Sequence, residues 1–288
     1  MLSFHQALVL GLLQGVSELF PISSLGHSII LPALLGWPID QKTDAFLCFL
    51  VATHFATAVA LFFFYRDDWL RIIRATIRSL WRRRIGDDSD AKLGWLLVVG
   101  TVPAGILGLL FQKQLQELFA SPTYVSAFLF SNGLLLYLAE ILRTKARPAA
   151  RPKDADQRIA AELSWSQSIK VGAMQVLALL PGFSRTGSTL AGGLLAGMSH
   201  EDALRFSFFL ATPIIGAAAA LELPRLFLSR SVAAIESALL GAICAALASY
   251  VSVKFLTRYF KTRTLTPFSA YCLVAGVASF AILSHSIR

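Results

Sequence analysis

Residues 12–27 read LLQGVSELFPISSLGH, and residues 179–193 read LLPGFSRTGSTLAGG. Each begins as an apolar helical run and is then broken by Pro, Gly and small hydroxyl residues, at Pro21-Ile22-Ser23-Ser24-Leu25-Gly26 and at Pro181-Gly182-Phe183-Ser184-Arg185-Thr186-Gly187. Proline lacks the N–H that a helix interior needs and clashes with the turn before it, so neither run continues as one helix. The apolar stretches that contain them, 2–36 and 166–198, are expected to enter a membrane, turn at mid-depth and leave on the side of entry. An ordinary kinked span is the alternative. Turn backbone cannot face lipid, so both turns must be buried in protein or line a wet cavity.

The membrane reading comes from the rest of the chain. Hydrophobic residues make up 56% and charged residues 15% of the 288, outside the usual range of soluble domains. Six further stretches are long and apolar enough for a hydrocarbon core of about 30 Å: approximately 43–65, 93–112, 122–142, 203–223, 232–256 and 266–286. The net charge of +9 is not a nucleic-acid footprint, because the basic residues sit in short loops between apolar runs. Eighteen of them fall in 66–92, 143–163 and 254–263, against four in the opposite loops, Lys42, Lys113, Arg225 and Arg230. The positive-inside rule makes the first set cytoplasmic and the extreme C-terminus external. No Lys or Arg precedes Lys42, so the apolar start lacks a signal peptide's basic flank and is expected to stay in the mature protein. Cys48, Cys244 and Cys272 lie inside apolar runs without metal-ligand spacing and read as small core residues.

A shift of 161 residues brings the two broken stretches into register without a gap. Ser3, Gln6, Gly11, Gln14, Leu19, Ser23, Gly26, Leu34 and Gly36 then meet Ser164, Gln167, Gly172, Gln175, Leu180, Ser184, Gly187, Leu195 and Gly197. The predicted architecture is therefore an all-α integral membrane domain, 1–288. It has six transmembrane helices plus two re-entrant hairpins, with repeat one at 1–142, a mobile cytoplasmic linker at 143–163 and repeat two at 164–288. Three full spans follow each hairpin, so the second half is inserted upside down. Such inverted repeats meet near the midplane and form a binding site there.

The polar residues in the two turns need a purpose. Gln14 and Glu18 are four apart on one helix face, and Ser23, Ser24 and His27 follow. A carboxylate at the bilayer centre costs about 2.5–3.5 kcal/mol, so Glu18 calls for a cation, a proton or a function. In the second turn Arg185 stands at a helix start among Gly182, Ser184, Thr186, Ser188 and Thr189, an arrangement suited to phosphate oxygens. The bland reading is that Arg185 pairs with Glu18 as a structural bridge. One carboxylate with imidazole and hydroxyls, facing one anion cradle, is a set suited to phosphoryl transfer. His54 in the span after the first hairpin is either a further substrate contact or a packing histidine.

These residues carry a resemblance to the undecaprenyl-diphosphate phosphatase family. Gln14, Glu18, Pro21, Ser23, Ser24, Gly26 and His27 are similar to its (Glu/Gln)-x-x-x-Glu element followed by Pro-x-Ser-Ser-x-Gly-His. Pro181, Gly182, Ser184, Arg185 and Thr189 are similar to its Pro-Gly-x-Ser-Arg-Ser-x-x-Thr element, with Thr186 in place of the usual Ser. Gln14 is the neutral option at the first acidic position, which weakens a two-carboxylate metal site, and Leu25 replaces a common hydroxyl residue. The resemblance implies hydrolysis of a polyprenyl diphosphate lipid at the outer face of a bacterial inner membrane, in support of cell-wall synthesis. It also implies a divalent cation, Mg²⁺ or Ca²⁺, held by Glu18 and Gln14. On that basis Ser24 is the expected nucleophile, activated by Glu18 or His27, with His27 passing the leaving-group proton and Arg185 holding the terminal phosphate. Direct attack by water, with His27 as base, stays open, as does a homo-oligomer. The rival class is a transporter or flippase of an anionic lipid, which explains the repeat and Arg185 but leaves His27 and Ser24 without work.

Overall fold

The computed structural model describes residues 2–41, 43–111, 121–143, 154–228 and 232–285. Among them the chain is all helical, without a β-sheet. The helices are α1 Phe4–Ser17, α2 Ser24–Leu34, α3 Asp44–Phe64, α4 Arg66–Trp81, α5 Ser89–Leu110, α6 Pro122–Leu142, α7 Ala155–Glu162, α8 Trp165–Met174, α9 Arg185–Leu195, α10 His200–Leu228, α11 Val232–Tyr259 and α12 Thr266–His285. A 3₁₀ segment, Gln175–Leu179, extends α8. Six of these helices, α3, α5, α6, α10, α11 and α12, are long and apolar enough to cross a bilayer. The protein is a multi-pass membrane protein, and the six expected spans agree with it to within a few residues.

The two broken stretches fold as helix–turn–helix units with the same local chemistry. Ser3 caps α1 and Ser164 caps α8, each in a capping box closed by the Gln three residues later. In the turns, Ser23 Oγ accepts from Gly26 N at 3.1 Å and Ser184 Oγ accepts from Gly187 N at 3.1 Å, starting α2 and α9. Gly36 and Gly197, at φ 64° and 93°, follow their ends. All four pairs are separated by 161 residues. The first helix of each unit docks on a span of the other half of the chain, α1 on α11 and α8 on α5. Small residues permit the approach: a Cβ on Gly11 would lie 2.5 Å from the Gly241 carbonyl oxygen, and one on Gly15 would lie 2.7 Å from Ala248 Cβ.

The expected linker departs from the expectation. Its residues 144–153, like Lys42, Lys113 and Arg230 used for sidedness, lie outside the described residues. Its remainder is ordered as α7, packed on α5 and α10. Asp156, 1% exposed, accepts from Arg205 Nε at 2.6 Å and from Arg71 at 2.8 Å, and Arg158 donates to Asp202 at 2.7 Å. Polar residues dominate the segment and give it a loop-like sequence; those charges are what pair with α4 and α10 and fix it. The Asp202 carboxylate raises the Arg158 guanidinium above its ordinary value.

Candidate active site

The turn after α1 and the turn before α9 meet through hydrogen bonds between distant parts of the chain. Thr186 Oγ1 donates to the Glu18 carbonyl at 2.9 Å, and Ser184 Oγ donates to that of Phe20 at 3.4 Å. Asn132, wholly buried in α6, bridges them: its Nδ2 donates to the Pro21 carbonyl at 3.0 Å and its Oδ1 accepts from Ser184 N at 3.1 Å. Turn backbone away from water needs such partners, which here come from a third helix. Asn132→Ala is expected to lower thermal stability in detergent, by about 1–3 kcal/mol for each of the two orphaned groups. Turnover should fall with it, because the two turns lose their common reference. An unchanged melting temperature would remove Asn132 from this role.

Glu18 is the hub. The α1 helix puts Gln14 over it, and Gln14 Nε2 donates to Glu18 Oε2 at 3.2 Å. Ser24, the first residue of α2, donates from Oγ to the same oxygen at 2.5 Å. His54 of α3 brings Nε2 to 3.2 Å from Oε2 and 3.5 Å from Ser24 Oγ. The Leu50 carbonyl, 2.7 Å from His54 Nδ1, takes the proton on that nitrogen, so Nε2 is the atom that faces the serine. Across the site Arg185 NH2 reaches Glu18 Oε1 at 2.8 Å, while NH1 donates to the Ser207 carbonyl at 3.4 Å. The expected structural bridge between Arg185 and Glu18 therefore exists. It does not exhaust a guanidinium with five N–H donors, and Arg185 lines the cavity described next.

These groups form the polar end of a cavity of about 490 Å³ between α3, α5 and α10. Glu18, Ser23, Ser24, His54, Ser184 and Arg185 line that end, and Leu47, Leu50, Leu109, Ile214 and Leu221 are among the apolar walls. A pocket with a small polar end and long apolar walls fits an amphiphile with an anionic head.

The other expected contacts lie elsewhere. Thr186 and Thr189 are fully buried, with hydroxyls held by the Glu18 carbonyl, the Arg185 carbonyl and Ser207 Oγ. Ser188 is equally buried, away from the cavity. Gly182, at φ 116°, packs its backbone on α6, where a Cβ would stand 2.5 Å from the Val125 carbonyl oxygen; the glycine serves packing and not an anion. His27 is turned from the cavity. Its Nδ1–H donates to the Ser23 carbonyl at 2.6 Å, and Tyr271 OH of α12 donates to its Nε2 at 2.7 Å. Ser23 holds φ 72°, unusual for a residue with a side chain, and His27 ties down that peptide immediately before Ser24. His54, by sequence either a further substrate contact or a packing histidine, occupies the position beside the serine.

Glu18 and Gln14 are the residues expected to hold a divalent cation. Among the described residues no group of three or more His, Cys, Asp or Glu is gathered for a metal. The buried Gln14 Oε1 has no hydrogen-bond partner among the described residues, while Gln14 Nε2 faces Glu18, a carboxylate that lines the cavity. One carboxylate and one unpaired amide oxygen suit a hard cation that takes its other ligands from phosphates and water.

Comparison with known proteins decides the family. The bacitracin resistance protein BacA family model matches residues 7–278. This chain belongs to the BacA family. BacA-family relatives similar to it include an undecaprenyl-diphosphatase of Mycolicibacterium paratuberculosis, 45% identical over 98% of both chains. An undecaprenyl-diphosphatase 2 of Chromobacterium violaceum is 46% identical, covering 94% of this chain and 96% of its own. A third, of Frankia alni, is 40% identical over 96% of both. The matched residues cover both turns, the first five spans and the first part of α12.

Proposed function

We propose that this BacA-family protein hydrolyses undecaprenyl diphosphate to undecaprenyl phosphate and orthophosphate, recycling a lipid carrier for cell-wall synthesis. The observation that carries the reading is the Ser24 hydroxyl held against Glu18 and beside His54, with Arg185 on the other oxygen of the same carboxylate, at the polar end of an apolar cavity.

The diphosphate enters with its terminal phosphate against Arg185 and Ser184, and the first part of the prenyl chain lies along α3, α5 and α10. Ser24 Oγ attacks the terminal phosphorus as its proton passes to Glu18 Oε2. The bond from that phosphorus to the bridging oxygen breaks, and its electron pair leaves with undecaprenyl phosphate. Arg185 offsets charge on the transferring phosphoryl oxygens. The proton on Glu18 passes through His54 to the departing undecaprenyl phosphate. Water then attacks the phosphoserine phosphorus and gives a proton to the freed carboxylate, the bond from phosphorus to Ser24 Oγ breaks, Ser24 takes that proton back, and orthophosphate leaves. His54 takes the acid–base part first expected of His27, because its Nε2 faces the serine and the His27 ring does not. His27 and Tyr271 instead hold the peptide of Ser23 and so aim Ser24. A divalent cation would be held by Glu18 and Gln14 together with phosphate oxygens, where it would neutralise phosphate charge.

In this mechanism the helix–turn–helix units are re-entrant hairpins of an inverted repeat, with the site facing the outer side of the inner membrane. The matched caps at a spacing of 161 residues and the unequal loop charges support it. Purified protein in detergent should release orthophosphate from undecaprenyl or farnesyl diphosphate, and chelator should reduce the rate. A transporter or flippase of the same lipid releases none, and that result would end the hydrolase reading.

A further inference from the structure

We infer that α4 carries a surface for acidic phospholipid, in which Arg74, Arg78 and Arg82, with Ile77 and Trp81, hold the phosphate of an anionic glycerophospholipid at the edge of the bilayer. The inference is independent of the hydrolase reading.

The helix divides into three faces when its residues are spaced at about 100° each. Trp69, Ile72, Ala75 and Ser79 are buried; Trp95 Nε1 of α5 donates to Ser79 Oγ at 2.9 Å and fixes α4 across the start of that span. A second face is apolar and exposed: Leu70, Ile73, Ile77, Leu80 and Trp81, the last 84% exposed. Arg74, Arg78 and Arg82 follow at steps of four and form a third row directly beside the apolar one.

The charge on that third row is uncompensated. Arg71 faces Asp68, Asp90 and Asp156, and Arg66 faces Asp67. Arg74, Arg78 and Arg82 have no acidic partner among the described residues, and Arg83 and Arg84 continue the run. A shallow groove of about 430 Å³ is lined by Arg74, Ile77, Arg78, Trp81 and Arg82, so guanidinium groups and apolar side chains share one concavity.

An apolar face that large would not stay in water, and a helix attached to the end of a membrane span does not leave the bilayer. The arrangement is that of a helix lying in the interface, with Leu and Ile toward acyl chains, a Trp at the boundary and Arg toward the headgroups. Three unpaired cations select an anionic headgroup over a zwitterionic one, each contributing about fivefold in affinity near a charged surface.

Trp81 reports the occupant. Purified full-length protein is placed in mixed micelles containing brominated phosphatidylglycerol or brominated phosphatidylcholine at equal mole fraction, and the Trp81 contribution is taken as the difference from Trp81→Phe. Brominated phosphatidylglycerol is expected to quench that contribution at least about twofold more, and the preference should vanish in the Arg74→Gln/Arg78→Gln/Arg82→Gln variant. Equal quenching in the wild type, or a preference that survives the triple substitution, overturns the inference. If that variant does not purify folded, the wild-type preference is measured at about 0.1 and 1 M salt, where screening shortens from about 10 to 3 Å. A preference indifferent to salt rejects a charge-based site, and quenching by neither lipid shows that another partner covers the helix.

Discussion

Ser24→Ala is expected to lower kcat by about 10⁴-fold or more, the scale seen when the nucleophile of a covalent mechanism is removed. Fold and binding should survive. The lost hydroxyl removes one bond to a charged acceptor, about 1.5–3 kcal/mol, yet Glu18 Oε2 keeps Gln14 and His54 as neighbours. Arg185 and the cavity are untouched, so KM should change little, and the variant should still retain lipid diphosphate when purified with it. Steady-state kinetics on farnesyl diphosphate in detergent measure the effect, and acid-quenched reaction with farnesyl diphosphate labelled at its terminal, β, phosphate looks for label on Ser24 in the wild type. Activity in Ser24→Ala within tenfold of wild type means that water attacks directly. In that case the short Ser24–Glu18 bond serves only to orient the carboxylate.

The spans were legible because length and mean hydropathy leave few alternatives when a chain needs about 20 apolar residues to cross. Glu18 and Arg185 were legible for a related reason: a charge at membrane depth is too costly to keep without a partner, and each was the other's nearest available match in chemistry. The sequence alone places α4 in a loop, since its interspersed Arg and Asp leave no long apolar run even though its faces separate cleanly. The two histidines show where reading along the chain stops. His27 is close to Ser24 in sequence, but it lies one helical turn past Ser23 and spends its Nδ1–H on that carbonyl. His54 is 30 residues from Ser24 and reaches it only because α3 packs beside the first turn. Asn132 was visible as a lone amide in an apolar span, but its partners stand 111 and 52 residues away and nothing local names them. The hydroxyls of Thr186 and Thr189 look like phosphate contacts in the sequence; in the fold Thr186 satisfies the Glu18 carbonyl past the end of α1, and Thr189 bonds back within α9 and to Ser207.

Arg185→Ala is expected to lower kcat/KM by about 10³-fold or more, since a guanidinium aimed at a transferring phosphoryl group contributes on the order of 10³–10⁵. The effect should appear in both kcat and KM, because the same group holds the ground-state diphosphate and the charge that develops on it. Loss of the partner also leaves Glu18, 7% exposed, with a buried charge answered only by His54, and breaking such a pair costs about 3–5 kcal/mol. Stability and catalysis must therefore be separated. Arg185→Lys restores a cation to Glu18 but not the planar fork that grips phosphate while keeping the carboxylate. It should regain much of the thermal stability and little of the turnover. Arg185→Ala combined with Glu18→Gln should likewise recover stability, as no charge is left unpaired, and remain inactive. If Arg185→Lys recovers activity in step with its melting temperature, the guanidinium acts as a brace for Glu18 and the phosphate is held by other groups.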